Sequence, residues 1–178
     1  MSAATQSVTA AAGALTGLAR ALVQQSKLRP DRAETLARKA VQSNTQFIDE
    51  LVAASDSTGL TPAQIARFAA ETFGHPLFDL SAVDPEQLPK DIIDRKLVGS
   101  LRVLAIRKRG NRVAVAVSDP TNAQALDQIK FQTQLSLDIV VVEHDKLMRL
   151  VEGASQSASQ SIEQLVDDDV SFEDLLND

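Results

Sequence analysis

The sequence contains no cysteine, tryptophan or tyrosine among its 178 residues. Without cysteine the chain can form no disulfide scaffold, thiolate metal site or iron–sulfur cluster, and it has no thiol nucleophile. Apolar runs are interrupted by charge well before the length that a bilayer-spanning helix needs. The alanine-rich stretch over 10–22 has no basic residue ahead of it, unlike a signal peptide. We therefore expect a cytoplasmic protein without direct membrane insertion.

Sequence motifs for catalysis are missing too. Neither a Walker-type phosphate loop nor a Gly-x-Gly-x-x-Gly turn occurs. The two histidines, His75 and His144, are far apart, and the sequence suggests no carboxylate or serine partner for either. We predict that this chain is not an enzyme, with no catalytic residue, no metal site and no cofactor of its own.

Charge is unevenly distributed along the chain. The formal net charge is −6, yet the stretch from Glu163 to Asp178 holds seven acids and no base, which leaves 17 acids against 18 bases elsewhere. A near-neutral body without a basic recognition face argues against nucleic-acid binding. The small polar run over 153–161 is typical of a flexible linker. We expect residues 153–178 to be an acidic linker to further domains.

Helical periodicity dominates the first half of the chain. Apolar residues recur at three- and four-residue steps in four predicted helices, two of which start at Pro30 and Pro62. Thr61 and Gln64 predict a capping box, and Gly74 predicts the end of that helix. The apolar offsets after the two prolines match, which indicates a degenerate helix–loop–helix repeat over 14–80, after a disordered N-terminus at 1–13.

Strand signals appear in the second half. β-branched runs at 101–106 and 113–117 flank a basic turn, and a third strand is predicted over 135–142. Helices are predicted from Leu88 to Leu97, after the Asp-Pro-Thr-Asn phrase at 119–122, and over 143–152. The predicted fold class is therefore α+β.

The predicted architecture has two parts. An N-terminal bundle of short helices over 14–80 is followed by a small three-stranded sheet with flanking helices over 81–152.

Several phrases in this order resemble the N-terminal domain of the PilB family of type IV pilus extension ATPases, within the wider GspE and MshE secretion ATPase family. The phrases are Leu-Ala-Arg-Ala-Leu-Val at 18–23, Phe-Gly-His-Pro-Leu-Phe-Asp-Leu at 73–80, Leu-Pro at 88–89, Lys-Arg-Gly-Asn at 108–111 and Val-Ala-Val-Ser-Asp-Pro-Thr-Asn at 115–122. The resemblance implies a homohexameric cytoplasmic motor, peripheral to the inner membrane, whose ATP- and Mg²⁺-binding RecA-like domains lie outside this chain. What remains here is a regulatory and docking module.

In the MshE branch of this family, such domains bind cyclic di-GMP through paired motifs of the form Arg-Leu-Gly-x-x-Leu-Val-x-x-Gly. Alignment on the two Leu-Val pairs places Gly17 and Gln46 at the two arginine positions. Ile48 takes a position that would have to be small, and Ser26 replaces the closing glycine of the first motif. We predict that direct nucleotide binding has been lost. A direct cyclic di-GMP sensor is the alternative function.

In the PilB branch, the comparable region receives a PilZ-type adaptor, alone or in a larger complex with a cyclic di-GMP receptor. The resemblance therefore implies adaptor docking on those apolar side chains of the helical repeat that the core does not use. The candidates are Leu18, Leu22, Leu28, Phe47, Leu51 and Phe68. The basic patch, which we define as Arg107, Lys108, Arg109 and Arg112, is either a solvated turn or a contact to the inner-membrane pilus platform.

Overall fold

The computed structural model describes residues 15–154 and Gln156, so the predicted N-terminal segment at 1–13 lies outside the described residues. Helices fill the first half of the described chain. They are α1 (Gly17–Gln24), α2 (Pro30–Ser43), α3 (Phe47–Ala53), the single turn α4 (Ser55–Thr58) and α5 (Pro62–Phe73).

The predicted helix signals act as expected at α5. Pro62 occupies the first turn, where its missing N–H needs no partner. The Gln64 N–H donates to Thr61 Oγ1 at 3.2 Å, and the Thr61 N–H donates to Gln64 Oε1 at 2.9 Å. Gly74 ends the helix in the left-handed conformation at φ 71°. The capping box and the glycine terminus are confirmed.

The first half consists of two helical units, α1 with α2 and α3 with α5. The second unit contains the additional turn α4, which takes up the three extra residues between the Leu-Val pair and the proline. Both units share one apolar core, which also includes Val141 of the sheet. The helices therefore form one packed layer against the sheet.

The second half forms a three-stranded mixed sheet and its helices, which confirms the α+β class. Its elements are 3₁₀ turns at Leu80–Ala82 and Pro85–Gln87, α6 (Arg95–Leu101), β1 (Leu104–Arg109), β2 (Arg112–Val117), α7 (Ala123–Thr133), β3 (Ser136–Val141) and α8 (144–154). β1 pairs with β2 as an antiparallel hairpin, and α7 carries the chain across so that β3 pairs with β2 in parallel.

Two sequence predictions in this half are wrong in their bounds. Residues 88–93 are not helical; α6 starts only at Arg95, where the Asp94 carboxylate accepts from the Lys96 N–H at 2.8 Å. The first strand, predicted over 101–106, begins at Leu104 because Leu101 still belongs to α6. The strands also run further into the basic residues, and Arg109 pairs with Arg112 across a tight turn with Gly110 at φ 54°.

Each face of the sheet buries its own cluster. Val113, Val115 and Val117 pack toward Ile129 of α7, whereas Ala116 and Leu104 pack toward Leu147 of α8. The chain also adds a short parallel bridge on the outer edge of β3. There the Phe78 N–H donates to the Val141 carbonyl at 2.8 Å, and the Val141 N–H donates to the Pro76 carbonyl at 2.8 Å.

The last described helix runs into the predicted linker. α8 continues through residue 154, and most of the predicted linker at 153–178 lies outside the described residues. In the part of the chain that the structure describes, no helix combines the length and the apolar character needed to cross a bilayer.

Candidate functional site

Four of the six predicted partner-binding residues lie in the core of the helical half. The exposed fractions are 1% for Leu18, 0% for Leu22, 6% for Leu28 and 0% for Leu51. Side chains with so little exposed surface belong to the core, so these four residues are not part of the docking surface that we consider; their helical spacing marked the buried stripe.

Phe47 and Phe68, the other two predicted residues, are less buried. Both are half-buried at the margin of the same core and keep part of their rings in solvent. They remain candidates. Val41 on α2 corrects a prediction: the apolar spacing of that helix places Val41 on the buried face, but the side chain is 82% exposed and becomes a further candidate. A further ring, Phe131 on α7, is 81% exposed in the other half of the molecule.

The basic patch lies at the tip of the hairpin, and all four of its residues are exposed. Arg112 is held by Asp138 on β3, to which its Nε donates at 3.0 Å. This hydrogen bond and the opposite charge raise the pKa of Arg112 and lower the pKa of Asp138. The other three cations have no ion-pair partner among residues 15–154. A solvated hairpin tip and a platform contact both fit this geometry.

The Ser-Asp-Pro-Thr-Asn loop at 118–122 meets the start of the first helical unit. The Leu18 N–H at the beginning of α1 donates to Thr121 Oγ1 at 3.2 Å. Thr121 in turn donates its hydroxyl to Asp119 Oδ1 at 2.6 Å. Gly17 has φ 56°, and a Cβ built on it would lie 2.3 Å from Thr121 Oγ1. A side chain at this position, which aligns with the first arginine of the MshE-type motif, would therefore require Thr121 to shift.

The same loop also meets the second helical unit through His144. The ring Nε2 of His144 lies 2.9 Å from Asp49 Oδ1 on α3, and Nδ1 lies 2.7 Å from Ser118 Oγ. An ionised carboxylate only accepts, so Nε2 donates to Asp49. Arg102 Nε forms an ion pair with the same Asp49 oxygen at 2.9 Å. We name Asp49, Arg102, Ser118 and His144 the junction network.

The junction network corrects the prediction that His144 lacks a carboxylate or serine partner. Asp49 lies 95 residues away in the sequence, so no local pattern could reveal it. The order of serine, histidine and aspartate resembles a hydrolase triad. However, Ser118 is 4% exposed and His144 is 5% exposed, and the adjoining cavity measures only about 10 Å³. No substrate could reach the serine, and the network joins the two halves instead.

The pKa values of two partly buried carboxylates near this junction shift in opposite directions. Burial disfavours the charged form of Asp49, but hydrogen bonds from His144 and the Gln46 N–H, together with the Arg102 charge, outweigh it and lower the pKa of Asp49. For Asp119 the balance is reversed. Burial raises its pKa despite the two hydrogen bonds that it accepts from Thr121.

Gln46 occupies the second arginine position of the MshE-type motif, and it forms hydrogen bonds within the domain. Its side-chain amide donates to the Leu101 carbonyl at 3.3 Å, and its backbone N–H donates to Asp49 Oδ2 at 2.7 Å. Ile48 is 1% exposed and fills the core. Ser26, at the position of the motif's closing glycine, adopts φ 56°. Gln46 and Ile48 are thus used for internal contacts, and Ser26 adopts a backbone conformation that favours glycine.

Among the residues that the structure describes, no three histidine or acidic side chains come together in a way that could hold a metal ion.

Comparison with known proteins gives the family. The sequence profile of the MshEN domain matches residues 73–161, which is half of the chain. The chain belongs to the MshEN domain family. The match takes in the whole sheet and the Ser-Asp-Pro-Thr-Asn loop, and it confirms the resemblance read from the sequence.

Curated relatives of this MshEN domain are pilus ATPases. The chain is 35% identical over 161 residues to the type IV pilus assembly ATPase PilB of Pseudomonas aeruginosa, covering 90% of this chain and 28% of that protein. It is 35% identical over 135 residues to PilB of Acinetobacter baylyi, covering 76% of this chain and 23% of that protein. The chain thus spans about a quarter of the length of the curated relatives that it matches.

Solved structures share the fold of this MshEN domain. A structure of MshE with cdg, a short form of cyclic di-GMP, has a TM-score of 0.54 and 23% identity, with 80% of this chain and 99% of that chain covered. The N-terminal domain of XpsE has a TM-score of 0.57 and 21% identity, with 76% of this chain and 91% of that chain covered. At this identity the likeness establishes the fold alone.

Proposed function

We propose that this MshEN domain is the N-terminal regulatory and docking domain of a type IV pilus assembly ATPase, and that it binds a PilZ-type adaptor which links pilus extension to cyclic di-GMP signalling. The observation that carries the proposal is the 35% identity to Pseudomonas aeruginosa PilB over 90% of the chain. The parent protein would be a cytoplasmic homohexamer that works at the inner membrane, with ATP and Mg²⁺ bound outside this chain.

The exposed side chains of the helical half support a docking role. Val41, Phe47 and Phe68 leave apolar surface in solvent on short helices whose own core is already filled by leucines and alanines. Aromatic and aliphatic side chains of this kind anchor protein interfaces when a partner excludes water from them. The docking surface that we propose therefore consists of these three residues.

Direct binding of cyclic di-GMP is the second candidate, because an MshE structure with the same fold holds that nucleotide. The local geometry argues against it here. A side chain at Gly17 would require Thr121 to shift, the Gln46 amide is engaged with Leu101, and Ile48 occupies the core. An arginine that could stack on a guanine is missing from both aligned positions.

Two measurements on the 178-residue chain separate these functions. We expect co-purification with the PilZ-type adaptor of the same organism, and we expect calorimetry with cyclic di-GMP to detect no binding. Low-micromolar binding of the nucleotide, with no adaptor retained, would establish the sensor function instead.

A matched pair of variants locates the docking surface. Val41→Glu introduces a charge on the helical half, and Phe131→Glu introduces the same charge at an equally exposed apolar residue of the sheet half. We expect the first to weaken adaptor binding at least tenfold, about 1.4 kcal/mol, and the second to leave it unchanged. If the variant at Phe131 weakened adaptor binding more than the variant at Val41, the docking surface would lie on α7 instead.

A further inference from the structure

An apolar groove of about 370 Å³ opens on the sheet half, away from the helical units. It lies between residues 85–93, α6, the start of β1 and the end of α8. The floor of the groove is apolar and is formed by Leu88, Ile93, Val98, Leu104, Ala105 and Leu150. A cleft of this size with an apolar floor is suited to a small number of inserted side chains.

The groove runs beside the free edge of the sheet. β1 pairs with β2 on one side only, and Leu104 and Ala105 of β1 belong to the groove wall. On its other side, no backbone of the described residues is hydrogen-bonded to β1. An occupant of the groove would thus also meet unpaired backbone groups of an edge strand.

The rim of the groove is cationic. Lys90, Arg95 and Arg149 line it together with one carboxylate, Glu86. Lys90 pairs with Glu86 at 3.1 Å, and Arg149 lies 3.6 Å from Asp145. Arg95 has no ion-pair partner within residues 15–154. The groove therefore suits an occupant that combines apolar side chains with several carboxylates.

The chain itself carries a segment of this composition. Residues 163–178 contain seven acids, no base and six apolar residues, of which Val170 and Phe172 lie at alternate positions directly after the three aspartates at 167–169. The described chain passes along the groove as it leaves α8, since Gly153 and Ala154 line it. Fourteen residues lead from Gln156 to Val170, enough to reach up to about 48 Å when extended. Tethering would supply an effective concentration on the order of millimolar.

We propose that the acidic segment 163–178 binds this groove within the same molecule. Val170 and Phe172 occupy the apolar floor, and the neighbouring carboxylates face Arg95 and Arg149. Occupation by this segment covers the free edge of β1 and excludes other acidic peptides from the groove. The proposal does not depend on the adaptor function and concerns the opposite half of the molecule.

A spin label on the full 178-residue chain tests the proposal directly. Because the sequence contains no cysteine, Ser171→Cys gives a single attachment site for a nitroxide. We expect the backbone amide signals of Ala105 and Leu150 to lose most of their intensity, and the loss to be independent of protein concentration. Raising the salt concentration from about 0.1 to 1 M shortens the screening length from about 10 to 3 Å and should restore part of the intensity.

Charge reversal supplies the matched control. Arg95→Glu combined with Arg149→Glu should restore the groove signals, whereas Arg38→Glu combined with Arg67→Glu, the same charge change on exposed residues of the helical half, should not. An intensity loss that grows with protein concentration would assign the groove to a second copy. Unchanged groove signals in the labelled chain, or equal loss over both halves, would overturn the proposal.

Discussion

A methyl group added at Gly17 should be far more costly than the same change at other left-handed glycines. Gly17 has φ 56°, which costs a residue with a Cβ about 1–2 kcal/mol. The new Cβ would also lie 2.3 Å from Thr121 Oγ1 and 3.0 Å from Thr121 Cβ. Rotation of the Thr121 side chain cannot relieve the second contact, because Cβ stays in place. Such overpacking adds about 1–3 kcal/mol.

Gly59 is the matched control for this effect. It has φ 73°, and nothing lies within 4 Å of a Cβ built on it. Gly59→Ala should therefore cost only the backbone term of about 1–2 kcal/mol, and Gly17→Ala about 2–5 kcal/mol in total. Urea denaturation followed by circular dichroism gives both values, provided that the transitions stay two-state.

The excess cost at Gly17 should depend on Thr121. In a double-mutant cycle, Thr121→Ala removes Oγ1 and should recover part of the destabilisation of Gly17→Ala, although it also deletes the acceptor of the Leu18 N–H. Equal costs at the two glycines, or strict additivity with Thr121→Ala, would refute the close approach between α1 and the 118–122 loop. Thr121 would then be no obstacle to a side chain at position 17.

Three further predictions concern the junction and the surface. His144→Ala leaves Asp49 and Ser118 without their shared partner, and we expect a loss of about 1–3 kcal/mol in urea denaturation with the helical content retained; no loss would contradict a joining role. Asp79 has its pKa lowered to about 2 from 3.8 by the Ser81 N–H and then by Lys146. Because the folded pKa is the lower one, its stabilising contribution is complete above about pH 4 and is lost as pH falls toward 2; carboxyl chemical shifts should show this midpoint, and a midpoint near 3.8 would disprove it. Phe131→Ser should change the free energy of unfolding by less than about 0.5 kcal/mol, because the side chain is 81% exposed.

Local signals in the sequence predicted the elements that depend on local physics. The prolines at 30 and 62, the Thr61–Gln64 capping box and the left-handed Gly74 each act within one helical turn, so a single stretch of sequence contains all of the relevant groups. The apolar stripe of α1 likewise predicted that its leucines lie on one face. The pattern alone does not show whether that face contacts the core or a partner. The low exposed fractions of these leucines in the structure show that it contacts the core.

The predictions that were wrong have two different causes, a local cap at α6 and tertiary contacts at His144. The pattern of Leu88, Ile92 and Leu97 is compatible with a helix, but the Asp94 cap selects a later start. His144 lacked a partner in the sequence because Asp49 and Ser118 reach it only after the sheet has packed against α3. Long-range pairs of this kind leave no local pattern.

The short bridge between Leu77 and Val141 has a mechanical consequence. The segment that follows the helical half is bound to the outer edge of β3 by two backbone hydrogen bonds of 2.8 Å each, donated by the Phe78 and Val141 N–H groups. If the helices rotated about this point, both hydrogen bonds would have to break together and could not lengthen one after the other. Tension applied to the helical half would therefore reach β3 first and then β2, with which β3 pairs in parallel.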